Sequence, residues 1–191
     1  MVDEVQTGIG RTGSWFAFLQ TDIVPDVVTL AKALGNGMPI GVCMARGVAA
    51  DALQPGEHAT TFGGNPVTAA AALAVLDVIE HEDVLANVAT RAAQFRIGLA
   101  DLAASTGTVL EVRGSGLLLG VVLSAPIAGE VAALCRAERL ILNAVAPDVL
   151  RIAPPLTIDA NEVEQALGIL EGAIIAAAAA AVEATTEKVD A

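Results

Sequence analysis

Asn65 and Pro66 open the stretch PVTAAAALAVLDVIE, and no other part of the sequence limits the fold so tightly. Proline at a first helical position gives up an N–H that the helix could not have used, so a helix is predicted to start there. Its residues are apolar on nearly every face, which predicts a helix buried between layers. The charged run EHED breaks it, and a second, more amphipathic helix is predicted to about Ser105. A chain of 191 residues can build one domain with a sizeable core around such a helix, or two small domains.

Upstream, Met1 and Val2 read as the last two positions of a buried strand, because Asp3 already carries a charge. A chain that starts inside its own sheet is expected to be a fragment, or a gene product begun at an internal Met. GIGRTG then reads as a turn, SWFAFLQTD as a short helix, DVVTLAKAL as a strand running into the turn GNGMP, and IGVCMA as the next strand. The texture changes past Ser105. TVLEVRGSGLLLGVVL predicts two strands around a Gly-rich bend, IAGEVAALCRAERL a helix, and LRIAPPLTI a strand broken by two prolines. From Asn161 a final helix ends in an alanine run, and the tail carrying Glu183, Glu187 and Lys188 is expected to fray. Strand, strand, helix, strand, helix is an α+β pattern, distinct from the α/β texture of the first 80 or so residues. The expected boundary is the EHED break, giving domains 1–82 and 83–191.

Hydrophobic residues make up 54% of the chain and charged ones 17%, which excludes a disordered protein. The formal net charge of -12 repels phosphate backbones and anionic lipid, so neither nucleic acid nor a membrane surface is an expected partner. Asp3 and Glu4 follow the first Met too soon for a signal peptide, and the uncharged run from Gly172 to Val182 is too short to span a bilayer. Cys43 and Cys135 sit in apolar runs without metal-like spacing, so two reduced core thiols of a cytoplasmic protein are expected.

Three features carry possible chemistry. Gly8, Gly10 and Gly13 match the G-x-G-x-x-G pattern of dinucleotide sites. That reading needs an uncharged strand before the first glycine and an acidic residue at the end of a second strand. Here Asp3 and Glu4 occupy the strand, so a nicotinamide site is disfavoured. Lys32 is one of only two lysines, and it lies in an apolar stretch between VVTLA and ALG. Burial would keep such an amine neutral and nucleophilic, as attack on an aldehyde requires; a lysine snorkelling from a strand end is the alternative. Asp3 adds to the case. A carboxylate at the end of one parallel strand can face the same crevice as a lysine at the end of its neighbour. It could keep a pyridine nitrogen protonated, and the pair would then meet the two main needs of pyridoxal phosphate.

VDEVQTGIGRTG, PDVVTLAKALGNGMPIG, HATTFGGNP and RIAPPLTI stand in the order found in class III (fold type I) aminotransferases, and the chain resembles that family over nearly all its length. ILNAVAPDVLRIAPPL is most similar to the acetylornithine type. The resemblance implies the C-terminal part of a fold type I large domain, an α/β unit whose N-terminal half is missing, followed by the small α+β domain. It implies transfer of the amino group of N-acetylornithine to 2-oxoglutarate in arginine biosynthesis, by a homodimer using pyridoxal 5'-phosphate. By the same resemblance Asp3 pairs with the pyridine nitrogen, Val5 backs the ring, and Gln6 lies near the ring hydroxyl. Lys32 holds the cofactor covalently and shuttles the proton. Thr61 reaches the phosphate in the other subunit, and Arg151 takes the α-carboxylate of donor and acceptor. The Gly-Ser/Thr phosphate turn of the family is absent from the chain, so these residues are expected to be inactive alone. A sibling class III enzyme (ornithine, succinylornithine or 4-aminobutyrate aminotransferase) and a non-enzymatic truncated product remain open. No role follows for His58 or His81, no metal site is expected, Arg11 and Arg113 read as structural, and Trp15 as packing.

Overall fold

The first strand, β1 (Val2–Asp3), ends where the chain turns sharply at Glu4. It belongs to a computed structural model that describes residues 1–189; Asp190, Ala191 and the side chains of residues 184–189 lie outside the described residues. The chain divides into two units, Met1–Val88 and Ala89–Ala191. The division falls inside a helix, α2 (Val84–Thr106), and not at the EHED break. Packing explains the difference: Val84 and Val88 are buried, and a Cγ of Val88 lies 3.9 Å from where a Cβ on Gly13 would stand. The first turn of α2 thus packs within the first unit.

In that unit β2 (Val27–Leu30) pairs parallel with β1 and antiparallel with β3 (Val42–Ala45). Parallel pairing sets Asp3 opposite Thr29 and ends both strands on the same side. The strand expected through DVVTLAKAL stops at Leu30, and Lys32–Leu34 coil into a 3₁₀ turn; the short helix expected in SWFAFLQTD is the 3₁₀ turn Ala17–Gln20. Cys43 is exposed on β3, an edge strand paired among the described residues with β2 alone, so the expectation of a core thiol fails for it and holds for buried Cys135.

Helix α1 (Pro66–His81) starts where predicted. Asn65 caps it, its Oδ1 accepting from the backbone N–H groups of Val67 at 3.1 Å and Thr68 at 3.2 Å. Full burial of this helix is not observed. Thr68, Ala72 and Ile79 form one buried stripe, whereas Val67 and Leu73 are 65% and 63% exposed. The described residues provide a layer against one face of α1 and leave its other apolar faces uncovered.

The second unit is a four-stranded antiparallel sheet in the order β4-β5-β7-β6, with α3 (Ala128–Ala137) packed on α4 (Ala160–Val189). β4 (Val109–Ser115) and β5 (Leu118–Leu123) form the expected hairpin. Gly114 has φ +115°, and a Cβ there would meet the Leu118 carbonyl oxygen at 2.1 Å, so only glycine lets the strands close. Leu117, Leu119, Val121 and Leu123 alternate inward, and Leu99, Val131, Leu150, Val163 and Ile174 of the same unit are likewise buried. β7 (Val149–Ile152) matches the LRI segment, while β6 (Asn143–Ala146) was not anticipated. Its residues are mostly exposed, so no inward alternation marks it. α4 is continuous to Val189, and from Ala160 to Glu183 it is long and apolar enough to cross a bilayer by length and composition only, a longer segment than the uncharged run Gly172–Val182. Its buried stripe, Val163, Leu170, Ala173, Ile174 and Ala177, belongs to the second unit's core.

Candidate active site

The adjacent acids Asp3 and Glu4 point to opposite sides, as successive residues leaving a strand do. Asp3 is exposed. Its Oδ1 accepts from the Val5 N–H at 2.9 Å and from the Thr29 hydroxyl at 3.1 Å. Glu4 is 1% exposed and fastens the turn. Its Oε1 accepts from the Phe18 N–H at 2.9 Å, and its Oε2 accepts from the Thr7 hydroxyl. Its own N–H donates to the Thr29 carbonyl at 2.9 Å, and its carbonyl accepts from the Gly8 N–H at the same distance. A Cβ on Gly8 would stand 2.8 Å from that carbonyl oxygen, so the first glycine of G-x-G-x-x-G is required by the Glu4 turn. The segment after it leads to a 3₁₀ turn at Ala17–Gln20, and not to the helix N-terminus a dinucleotide site needs. Glu4 is the structural residue that sequence reasoning missed. The available signal was a second acid directly after Asp3, where strand alternation must turn one of the two inward.

Val5, half-buried, and Gln6, exposed, lie in the turn after β1. Lys32 lies two residues beyond the end of β2, so the parallel pair carries the carboxylate and the amine at the same end of adjacent strands. The residue is exposed, which corrects the burial inferred from its apolar neighbours: the chain leaves β2 at Leu30 and turns Lys32 outward while Leu34 goes in. Its φ is +43°, a left-handed conformation uncommon for residues other than glycine and recurrent at functional sites.

Thr61 is exposed in a loop tied down by its neighbours, with the Thr60 hydroxyl accepting from the Gly63 N–H at 3.1 Å and the Asn65 amide donating to the Phe62 carbonyl at 2.9 Å. No hydrogen bond joins Thr61 to Asp3, Gln6 or Lys32 among the described residues. Burial lowers the pKa of the half-buried Arg11 guanidinium below its usual range. His81 Nδ1 lies 2.7 Å from the Asp77 carbonyl oxygen, and no group of three metal-binding side chains occurs among the described residues.

In the second unit Arg151 on β7 is half-buried, and one of its Nη groups donates to Asn143 Oδ1 at 3.2 Å across the β6–β7 pair. Among the described residues it forms no ion pair with Asp148, the structural alternative for this arginine. Its Nε is buried with no hydrogen-bond partner. Arg91 Nε is in the same condition, so an orphaned guanidinium nitrogen alone selects no ligand site. Arg151 differs in lining a cavity of about 390 Å³ with Asn143, Pro154 and Pro155. A buried N–H beside open space can pair with an incoming carboxylate, which would end the cost of leaving it unmatched.

The donor set at the β1 and β2 ends fits a pyridoxal group: a carboxylate whose Oδ2 has no hydrogen bond among the described residues, and an amine free to meet an aldehyde. The family model Aminotransferase class-III matches residues 1–174, and the chain belongs to that family of pyridoxal-phosphate-dependent transaminases. Acetylornithine aminotransferase of Streptomyces coelicolor is 50% identical over 179 residues, which cover 93% of this chain and 44% of that protein. The Corynebacterium efficiens protein of the same name is 51% identical, covering 89% of this chain and 41% of that one. The crystal structure of N-acetylornithine aminotransferase from Stenotrophomonas maltophilia K279a superposes with a TM-score of 0.83 at 42% identity, covering 93% of this chain and 47% of that one. The chain therefore spans less than half the length of these relatives.

Proposed function

We propose that the protein containing this chain is an acetylornithine aminotransferase, converting N-acetylornithine and 2-oxoglutarate to N-acetylglutamate 5-semialdehyde and glutamate in arginine biosynthesis. The observation that carries this reading is the placement of Asp3 and Lys32 at the same end of adjacent parallel strands. The substrate rests on the names of the relatives at about 50% identity. Pyridoxal phosphate, when bound, supplies an electron sink for the carbanion at the substrate α-carbon. Asp3 would keep the ring nitrogen protonated, Val5 would back the ring, and Gln6 would lie near its hydroxyl. Lys32 would hold the cofactor through Nζ, and the same amine would take the proton from the substrate α-carbon. Thr61 contributes to the phosphate site of a second copy in a homodimer, and Arg151 orients the α-carboxylate.

A substrate panel tests the reaction. A chain of the family's full length ending in these residues should transfer the amino group of N-acetylornithine to 2-oxoglutarate with higher kcat/KM than that of ornithine, succinylornithine or 4-aminobutyrate. The ornithine aminotransferase of Toxoplasma gondii superposes at a TM-score of 0.85 with 32% identity, so preference for ornithine is the specific outcome that would replace this reading.

Arg151→Lys keeps the charge but loses the planar fork that grips a carboxylate through two parallel N–H bonds. Both half-reactions should weaken, because amino donor and keto acid share the α-carboxylate contact. The expected loss in kcat/KM is about tenfold or more, roughly 1.4 kcal/mol of transition-state stabilisation, with the cofactor absorption spectrum unchanged. Unaltered single-turnover rates and affinities for both glutamate and N-acetylornithine would leave Arg151 a purely structural role.

A further inference from the structure

Asp3 has two carboxylate oxygens, and the chain uses them unequally. Both recorded donors, the Val5 N–H at 2.9 Å and the Thr29 hydroxyl at 3.1 Å, converge on Oδ1. A carboxylate oxygen has about two lone-pair sites, so Oδ1 is saturated while Oδ2 has no hydrogen bond among the described residues. Thr29 is the register partner of Asp3, and its backbone carbonyl separately accepts from the Glu4 N–H at 2.9 Å. One residue on β2 therefore holds two consecutive acids, the inward Glu4 through its main chain and the outward Asp3 through its side chain. The main-chain bond already secures the strand pairing. The hydroxyl adds something different: it fixes the rotation of an exposed carboxylate that would otherwise sample several orientations, at an entropic cost on binding a ligand.

We propose that Thr29 is a positioning residue for Asp3, its hydroxyl turning Oδ2 toward the ring nitrogen of the cofactor. This rests on the reading of Asp3 given above. Thr29→Val is the discriminating change, since valine keeps the β-branched shape suited to a strand and the carbonyl bond to Glu4, removing only the donor. Thr29→Ser restores the donor with a smaller side chain. In the apo form of a full-length chain, titration with pyridoxal phosphate should give a dissociation constant raised about fivefold or more by Thr29→Val, as expected for loss of a hydrogen bond to a charged group. Thr29→Ser should stay within about twofold of the parent, and the melting temperature of apo Thr29→Val within a few degrees of it. Asp3→Asn, run in parallel, should weaken binding at least as much as Thr29→Val.

If Asp3→Asn loosens the cofactor and Thr29→Val does not, the inference about Thr29 is wrong and the role of Asp3 stands. Equal losses in Thr29→Val and Thr29→Ser, or a loss matched by a collapse of apo stability, would place the effect in packing and also overturn it. Unchanged binding in Asp3→Asn would remove the reading of Asp3 and the inference with it.

Discussion

Lys32→Ala in a full-length chain should abolish transamination, lowering kcat on the order of 10³-fold or more, because in the proposed function it removes both the covalent anchor and the group that moves the α-proton. Few substitutions in this chain should be so selective. Lys32 is exposed and already left-handed at φ +43°, and alanine carries the same Cβ, so the backbone strain is the same before and after. Leu34, the buried residue of that turn, is untouched. Apo stability should therefore stay within about 0.5 kcal/mol of the parent, as for surface changes elsewhere. An added primary amine should restore part of the proton-transfer rate in the variant, since it supplies the missing base. Activity within tenfold of the parent would remove Lys32 from the chemistry.

The 191 residues by themselves should show no measurable turnover of N-acetylornithine with 2-oxoglutarate, and should self-associate. Asp3, Gln6, Lys32 and Thr61 are all exposed, and transamination needs charge development in a site from which water is largely excluded. Exposed apolar side chains include Val24, Phe62, Val67 and Leu73, at 65%, 81%, 65% and 63%. Both edges of the three-stranded sheet, β1 and β3, are unpaired among the described residues. Such surfaces associate. Assay and size-exclusion chromatography of the purified chain check both statements. A monomer turning over at an ordinary enzyme rate of about 10 s⁻¹ would contradict them.

What could be read from the sequence follows what leaves a local mark. The helix start at Asn65 and Pro66 and the β4–β5 hairpin are set by nearby residues, and both were legible. The inward alternation from Leu117 to Leu123 was not, since every residue in that run is apolar or glycine. β6 was not, since a mostly exposed edge strand has no inward-facing pattern to betray it. The exposure of Lys32, Cys43 and much of α1 failed for a related reason. Apolar neighbours show that a residue sits in an apolar stretch, whereas burial depends on a second layer that local sequence does not supply. The pairing of Asp3 with Lys32 was anticipated from strand logic, and the parallel register of β1 and β2 places them as that logic requires. Thr29 could not be anticipated, because its hydrogen bond across 26 positions to Asp3 appears only after the chain has folded. The inward turn of Glu4 had a local signal, but its partner Phe18, 14 positions away, did not.

Borohydride reduction of a full-length, cofactor-loaded chain, followed by peptide mapping, tests the central claim most directly. A covalent link between Lys32 and pyridoxal phosphate would be trapped as a stable pyridoxyl adduct. The account predicts a single adduct, on the peptide containing Lys32. An adduct on Lys188, or none in an enzyme that still turns over, would contradict it.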